Sequence, residues 1–177
     1  PLASVFLILG VIDSAIVYNY FMKRKSVWNI VLASPAGGMP ILVFWVALTG
    51  PISFIPIIMA LLTIFWTPAH IWSLAFFYQE DYKKAKIPML PVVYEPEKSI
   101  YCIAGSTILL VLFSLALINS FGSIYLLTTL ILGLTILFFA VKLVLKPQKE
   151  NAWTLFKLSS PYLFLIFLAM LLDIYFG

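Results

Sequence analysis

Charge is what this chain lacks most. Only 10% of its 177 residues are Asp, Glu, Lys or Arg, against roughly a quarter in a soluble globular domain. With 63% of the residues apolar, that scarcity excludes an ordinary water-soluble fold, because no core of this size hides so much apolar surface. Cysteine is nearly absent as well. Cys102 stands alone in an apolar run, which excludes an internal disulfide and leaves too few ligands for a metal site; the plain reading is a small buried hydrophobe. There is no internal repeat, low-complexity tract or flexible linker. No basic stretch precedes the first apolar segment, which begins at Pro1. That segment therefore makes a poor signal peptide, and the chain is expected to be a fragment lacking its front.

Long apolar runs are what the chain has instead. Its mean hydropathy is +1.09, and a helical span needs about 20 mostly apolar residues. The pattern predicts an all-α, polytopic membrane bundle with six spans: 2–22, 28–49, 52–77, 99–118, 122–145 and 157–176. Two connections are tight turns, Thr49–Gly50–Pro51 and Asn119–Ser120–Phe121–Gly122. The other three, at 22–27, 78–98 and 146–157, are basic, and all eleven Lys and Arg lie in or beside them. With six spans those three share one side. The positive-inside rule then makes them cytoplasmic, and the net charge of +4 reflects topology rather than nucleic-acid binding.

Pro and Gly cluster in the second span, in "ASPAGGMP" at 33–40. Such a cluster either lines a polar cavity or lets helices approach through small residues. Asp13 lies mid-span, where an unpaired charge is costly, so a partner or a cavity is expected.

The richest stretch is "WTPAHIWSLAFFYQEDYKKAKIPMLPVV", residues 66–93. If 60–84 is mainly one helix, Trp66, His70, Phe77, Asp81 and Lys84 fall within roughly 40° of one stripe at about 100° per residue. Aromatic rings would then lie deep and charges at the mouth. Pro68 should kink the helix just before His70. A lone histidine in an apolar helix is often structural, but this one lies below an acidic and basic loop. The apolar insert "IPMLPVV" at 87–93 is unneeded in a solvated connection and reads as a re-entrant piece or lid. Carboxylates beside lysines suit a phosphate bound through Mg²⁺, which prefers oxygen ligands. Lys23, Arg24 and Lys25 lie on the same predicted side, either as topology anchors or as a counter-charge.

At these residues the chain resembles the protohaem IX farnesyltransferases, or haem O synthases, of the UbiA superfamily of intramembrane prenyltransferases. The stretch at 66–93, "VYNYFMKRKSVWNIVLASPAGGMP" at 17–40, "LTGPIS" at 48–53 and "LFKLSSPYLFLIFLAMLLD" at 155–173 carry the likeness, which covers essentially the whole chain. It implies helices four to nine of a nine-helix fold, as a single transmembrane prenyltransferase domain over 1–177 lacking the first three helices and the first Asn/Asp-rich motif. It also implies transfer of a farnesyl group from farnesyl diphosphate to a vinyl carbon of haem B, with Mg²⁺ as cofactor.

Residue by residue, the resemblance gives Asp81 and Tyr82 to the second polar motif, Lys83 and Lys84 to its basic pair, and His70 to the histidine after Thr-Pro. Lys23, Arg24 and Asn29 match a Lys-Arg pair and an asparagine. Asp81, with Glu80, would hold metal; Lys23, Arg24, Lys83 and Lys84 would bind diphosphate; Asn29, Trp66, Trp72 and Phe77 would line the cavity. His70 would ligate haem iron or orient a propionate. Two departures stand out: Lys86 replaces the usual glycine before Ile-Pro-Met-Leu, and Pro35 replaces a small, flexible residue. The implied partners are the lipid bilayer and haem A synthase or the terminal-oxidase assembly machinery, in the plasma membrane. Two rival readings remain: a UbiA-type enzyme with a quinone or chlorin acceptor, and a non-enzymatic small membrane transporter.

Overall fold

The structure is a computed structural model that describes residues 1–176. Among these residues every regular element is helical. Six helices are long and apolar enough to cross a membrane. They are α1 (Leu2–Met22), α2 (Asn29–Thr49), α3 (Phe54–Phe77), α6 (Pro96–Leu115), α7 (Ser123–Leu145) and α8 (Lys149–Phe176). Two short helices, α4 (Gln79–Lys84) and α5 (Leu90–Val93), lie between α3 and α6. In lipid each backbone amide and carbonyl must be satisfied within the protein, and helices do this within one segment.

Helix α3 is the hub. It packs against α2, α6 and α8, and α7 closes the far side against α6 and α8. Helix α1 packs chiefly against α2 and buries none of its residues. Its second half, Ile12–Met22, is wound as a π-helix, which the apolar pattern did not foretell. Asp13 finds the partner that its mid-span position called for: its Oδ2 accepts the Ala36 amide at 2.9 Å.

The Pro–Gly cluster of α2 does not open the helix, which runs through Pro35 and Pro40. Its role is close approach. A Cβ on Gly38 would lie 3.0 Å from the Ala60 carbonyl of α3, and one on Gly10 would lie 3.0 Å from Met39.

Two expectations need correction. The single helix over 60–84 is interrupted at Tyr78, whose backbone (φ −95°, ψ 31°) leaves helical geometry. The last span begins at Lys149 rather than 157, so the connection 146–157 shrinks to a few residues. The reason is helical spacing: Ala152, Leu155 and Ser159 are buried on one side while Lys149, Glu150 and Lys157 stay outside. Asn151 secures the start by donating to the Lys146 carbonyl at 2.8 Å.

The insert at 87–93 is a wedge. Met89, Leu90 and Pro91 are buried, and Leu90 is 0% exposed. Side chains meet the carbonyls this wedge carries inward: Gln79 Nε2 donates to Pro91, and Ser99 Oγ donates to Leu90.

Candidate active site

The three basic connections gather at one end of the bundle. Arg24, from the α1–α2 connection, lines a hollow of about 260 Å³ with Lys83, Lys86, Ile87, Pro88, Val92 and Val93. A second hollow of about 350 Å³ is lined by Leu74, Tyr78, Asp81, Tyr82, Ala85 and Ile87. The two share Ile87, so the Asp81 carboxylate and the Arg24–Lys83–Lys86 cations border adjoining spaces at the mouth. Helix α8 reaches the same end, where Trp153 stacks on Phe77 at 4.7 Å.

Local structure explains these placements. The break at Tyr78 separates α4 from α3, and Asp81 lies beyond it, facing the hollow with Leu74 and Tyr78. Tyr82 is half-buried against the core, and burial pushes its phenol above the ordinary tyrosine value. It therefore remains a hydroxyl donor throughout the neutral range. Lys84 and Glu80 are exposed and line neither hollow. Neighbouring helical residues diverge by about 100°, which is why Glu80 does not accompany Asp81. Lys23 is half-buried, with its Nζ 5.7 Å from the centre of the Tyr18 ring. Its carbonyl accepts the Asn29 amide at 3.3 Å. Asn29 is fully buried, and its Oδ1 has no partner.

Deeper in α3, Trp66, His70 and Phe77 do share a face, and that face meets α8. Trp66 stacks on His70 at 4.5 Å, His70 on Phe156 at 4.3 Å, Phe156 on Trp153 at 5.0 Å, and Trp153 on Phe77. The result is one aromatic column from mid-membrane to the mouth. Trp72 stands apart from it. It is 3% exposed, edge-on to Trp28 at 6.2 Å, with its indole N–H unpartnered.

Residues from α8 were missed by sequence reasoning. His70 Nδ1 lies 2.7 Å from Ser159 Oγ, and Trp66 Nε1 donates to the Ser159 carbonyl at 2.8 Å. The available signal was "KLSSP" at 157–161, two hydroxyls before a proline inside a span.

No group of three or more His, Cys, Asp or Glu side chains close enough to hold a metal occurs among the described residues. One or two carboxylates are nevertheless enough for Mg²⁺ that also binds substrate phosphates. Asp81, open to its hollow, fits that limited role.

A larger hollow lies at the opposite end, beside the second tight turn and the end of α8. It measures about 770 Å³ and is walled mainly by apolar groups such as Trp45, Ile55 and Phe167. Its one carboxylate, Asp173, is engaged with the Ile124 and Tyr125 amides at 3.1 and 2.7 Å, which leaves it a capping role.

Fold and site together define a polytopic helical membrane protein with its basic connections gathered at one mouth of the bundle. A family model described as the UbiA prenyltransferase family matches residues 1–171. The chain belongs to that family. Among its relatives, a protein named protoheme IX farnesyltransferase from Desulforudis audaxviator is 43% identical over 177 residues, covering 99% of this chain and 56% of its own length. One named protoheme IX farnesyltransferase 1 from Picrophilus torridus is 40% identical, covering 98% and 59%. One from Thermoplasma volcanium is 34% identical, covering 97% and 60%. The chain thus spans a little under three-fifths of the length of these relatives. No solved structure matches it.

Proposed function

We propose that the protein is an intramembrane prenyltransferase that moves a farnesyl group from farnesyl diphosphate to a vinyl carbon of haem B. The C1–O bond of the allylic diphosphate breaks, and its electron pair leaves with diphosphate. The vinyl π pair forms the new bond to C1, and the cation left on the adjacent carbon takes up water and loses a proton. The products are a hydroxyethylfarnesyl haem and diphosphate.

The observation that supports this reading is the meeting of Asp81 with Arg24 and Lys83 at adjoining hollows on one end of an apolar bundle. Negative charge grows on the leaving diphosphate, and positive groups fixed beside it lower the barrier most when water is excluded. Arg24 and Lys83 fill that role, with Lys23 and Lys84 at the rim. Asp81, with Glu80 beside it on α4, would hold Mg²⁺, which supplies charge neutralisation to the phosphate oxygens. Tyr82 stays protonated and offers a hydroxyl to the same oxygens. Positive charge grows on the allyl group, and ring faces attract cations; Trp66 and Phe77, in the column, present such faces. Asn29 ties itself to the cationic loop through the Lys23 carbonyl and keeps an unpaired amide oxygen, and Trp72 lies edge-on to Trp28 close by. We place the protein in the plasma membrane, with the three basic connections cytoplasmic by the positive-inside rule.

The test is Asp81→Ala in the full-length protein, assayed with farnesyl diphosphate, haem B and Mg²⁺. Haem O formation should fall by at least a hundredfold, on the order of 3 kcal/mol, while the protein stays in the membrane fraction. Undiminished haem O in extracted-haem chromatography would remove Asp81 from the reaction.

A further inference from the structure

Ser159 is 1% exposed and lies on α8 directly across from His70. Its Oγ is 2.7 Å from the Phe156 carbonyl and 2.7 Å from His70 Nδ1. A serine hydroxyl has one hydrogen and two lone pairs. The carbonyl can only accept, so the hydrogen goes to Phe156. A lone pair is left facing the imidazole, and Nδ1 must carry the ring hydrogen. His70 sits in an apolar span, stacked on both faces by Trp66 and Phe156, where a charge is costly. The ring is therefore neutral, and a neutral imidazole with hydrogen on Nδ1 keeps a bare lone pair on Nε2. That atom has no hydrogen-bond partner, and it is not among the buried polar atoms lacking one, so it keeps some accessible surface. Both ring faces are occupied, and this edge is the only one free to act.

We propose that Ser159 holds His70 in the Nδ1–H tautomer so that Nε2 ligates the iron of the haem acceptor; this rests on the haem reading given above. An ionised propionate needs a donor, which Nε2 lacks in this tautomer. Haem iron needs a lone pair, which Nε2 presents. Ligating histidines are held by a hydrogen bond at the other ring nitrogen, and Ser159 supplies it. Trp66 braces the arrangement from α3 through its bond to the Ser159 carbonyl. His70 is seven residues from the end of α3, about 10 Å below the mouth. Iron held there leaves the porphyrin edge, with its vinyl groups, free to reach the diphosphate end. In this scheme His70 touches substrate and Ser159 is a positioning residue.

The test titrates ferric haem B, and separately metal-free protoporphyrin IX, into the full-length protein in detergent. Wild type should give a histidine-ligated Soret and visible spectrum. His70→Ala should lose that signature, regain it with free imidazole, and still quench protoporphyrin fluorescence as wild type does. His70→Met should shift the bands to a thioether-ligated form. Ser159→Ala should weaken haem binding about tenfold without weakening protoporphyrin binding, and Ser159→Thr should restore it. An unchanged spectrum and affinity in His70→Ala would overturn the proposal. So would equal loss of haem and protoporphyrin from both His70 variants. Wild type that ligates haem through histidine yet transfers no farnesyl would sink the proposed function and leave this inference standing. Wild type that transfers farnesyl with no histidine on the iron would do the reverse.

Discussion

Lys86 is the one non-glycine residue with positive φ among the described residues, at 55°. The left-handed region costs an L-residue about 1–2 kcal/mol. Related proteins were expected to carry glycine here, and the backbone keeps the geometry that glycine would adopt. The lysine brings a cation to the hollow with Arg24 and Lys83 at the expense of strain. Lys86→Gly should therefore raise stability by about 0.5–1 kcal/mol, and Lys86→Val, β-branched and ill-suited to this region, should lower it. Thermal unfolding in detergent reads both, and a destabilised glycine variant would refute the strain. Legibility at this scale was uneven. His70, Asp81 and Lys83 announce themselves because polar residues are rare in so apolar a chain. Ser159 does not, because a lone hydroxyl in a span commonly bonds its own helix; its contact with His70 joins residues 89 positions apart.

Among elements, α7 is the clearest case of a helix whose start depends on another. Asp173, near the end of α8 and 7% exposed, accepts the amides of Ile124 and Tyr125, two of the donors that a helix start leaves unpaired. Gly122 makes room: a Cβ there would lie 2.8 Å from Asp173 Oδ1. Gly122→Ala should push the carboxylate off the amides and cost about 1–2 kcal/mol. Asp173→Ala should cost a similar amount, and the double variant little more than either alone, since both break one interaction. Additive losses in thermal unfolding would argue against the shared cap. Spans were legible to within a few residues wherever an apolar run ends in turn residues, as at Thr49 and Leu145. The early start of α8 was not, because Lys149 and Glu150 read as loop while the buried stripe beneath them shows only in the packed structure. The wedge at Leu90 was legible as an oddity, apolar residues where solvent was expected, but not as a plug carried by Gln79 and Ser99.

For the whole molecule, the fold separates two ends of different chemistry. Cationic connections meet around Arg24, Lys83 and Trp153 at one, and the second tight turn, around Asn119, lies beside Asp173 at the other. In a Cys102→Ala background, single cysteines at Lys25, Lys84 and Lys149 should react with a membrane-impermeant maleimide from one side only. Cysteines at Gly50 and Ser120 should react from the other; labelling of all five from one side would break the topology. The alternation of basic and neutral connections made this arrangement readable from sequence alone. The joining of α3 to α8 through stacked rings was not, because periodicity marks a face without naming its partner.

Helix α1 stands outside this interlock. It buries no residue, and its one side-chain hydrogen bond to α2 among the described residues runs from Ala36 to Asp13. Without that carboxylate, the seam between these two helices would rest on side-chain packing alone, with Gly10 close against Met39.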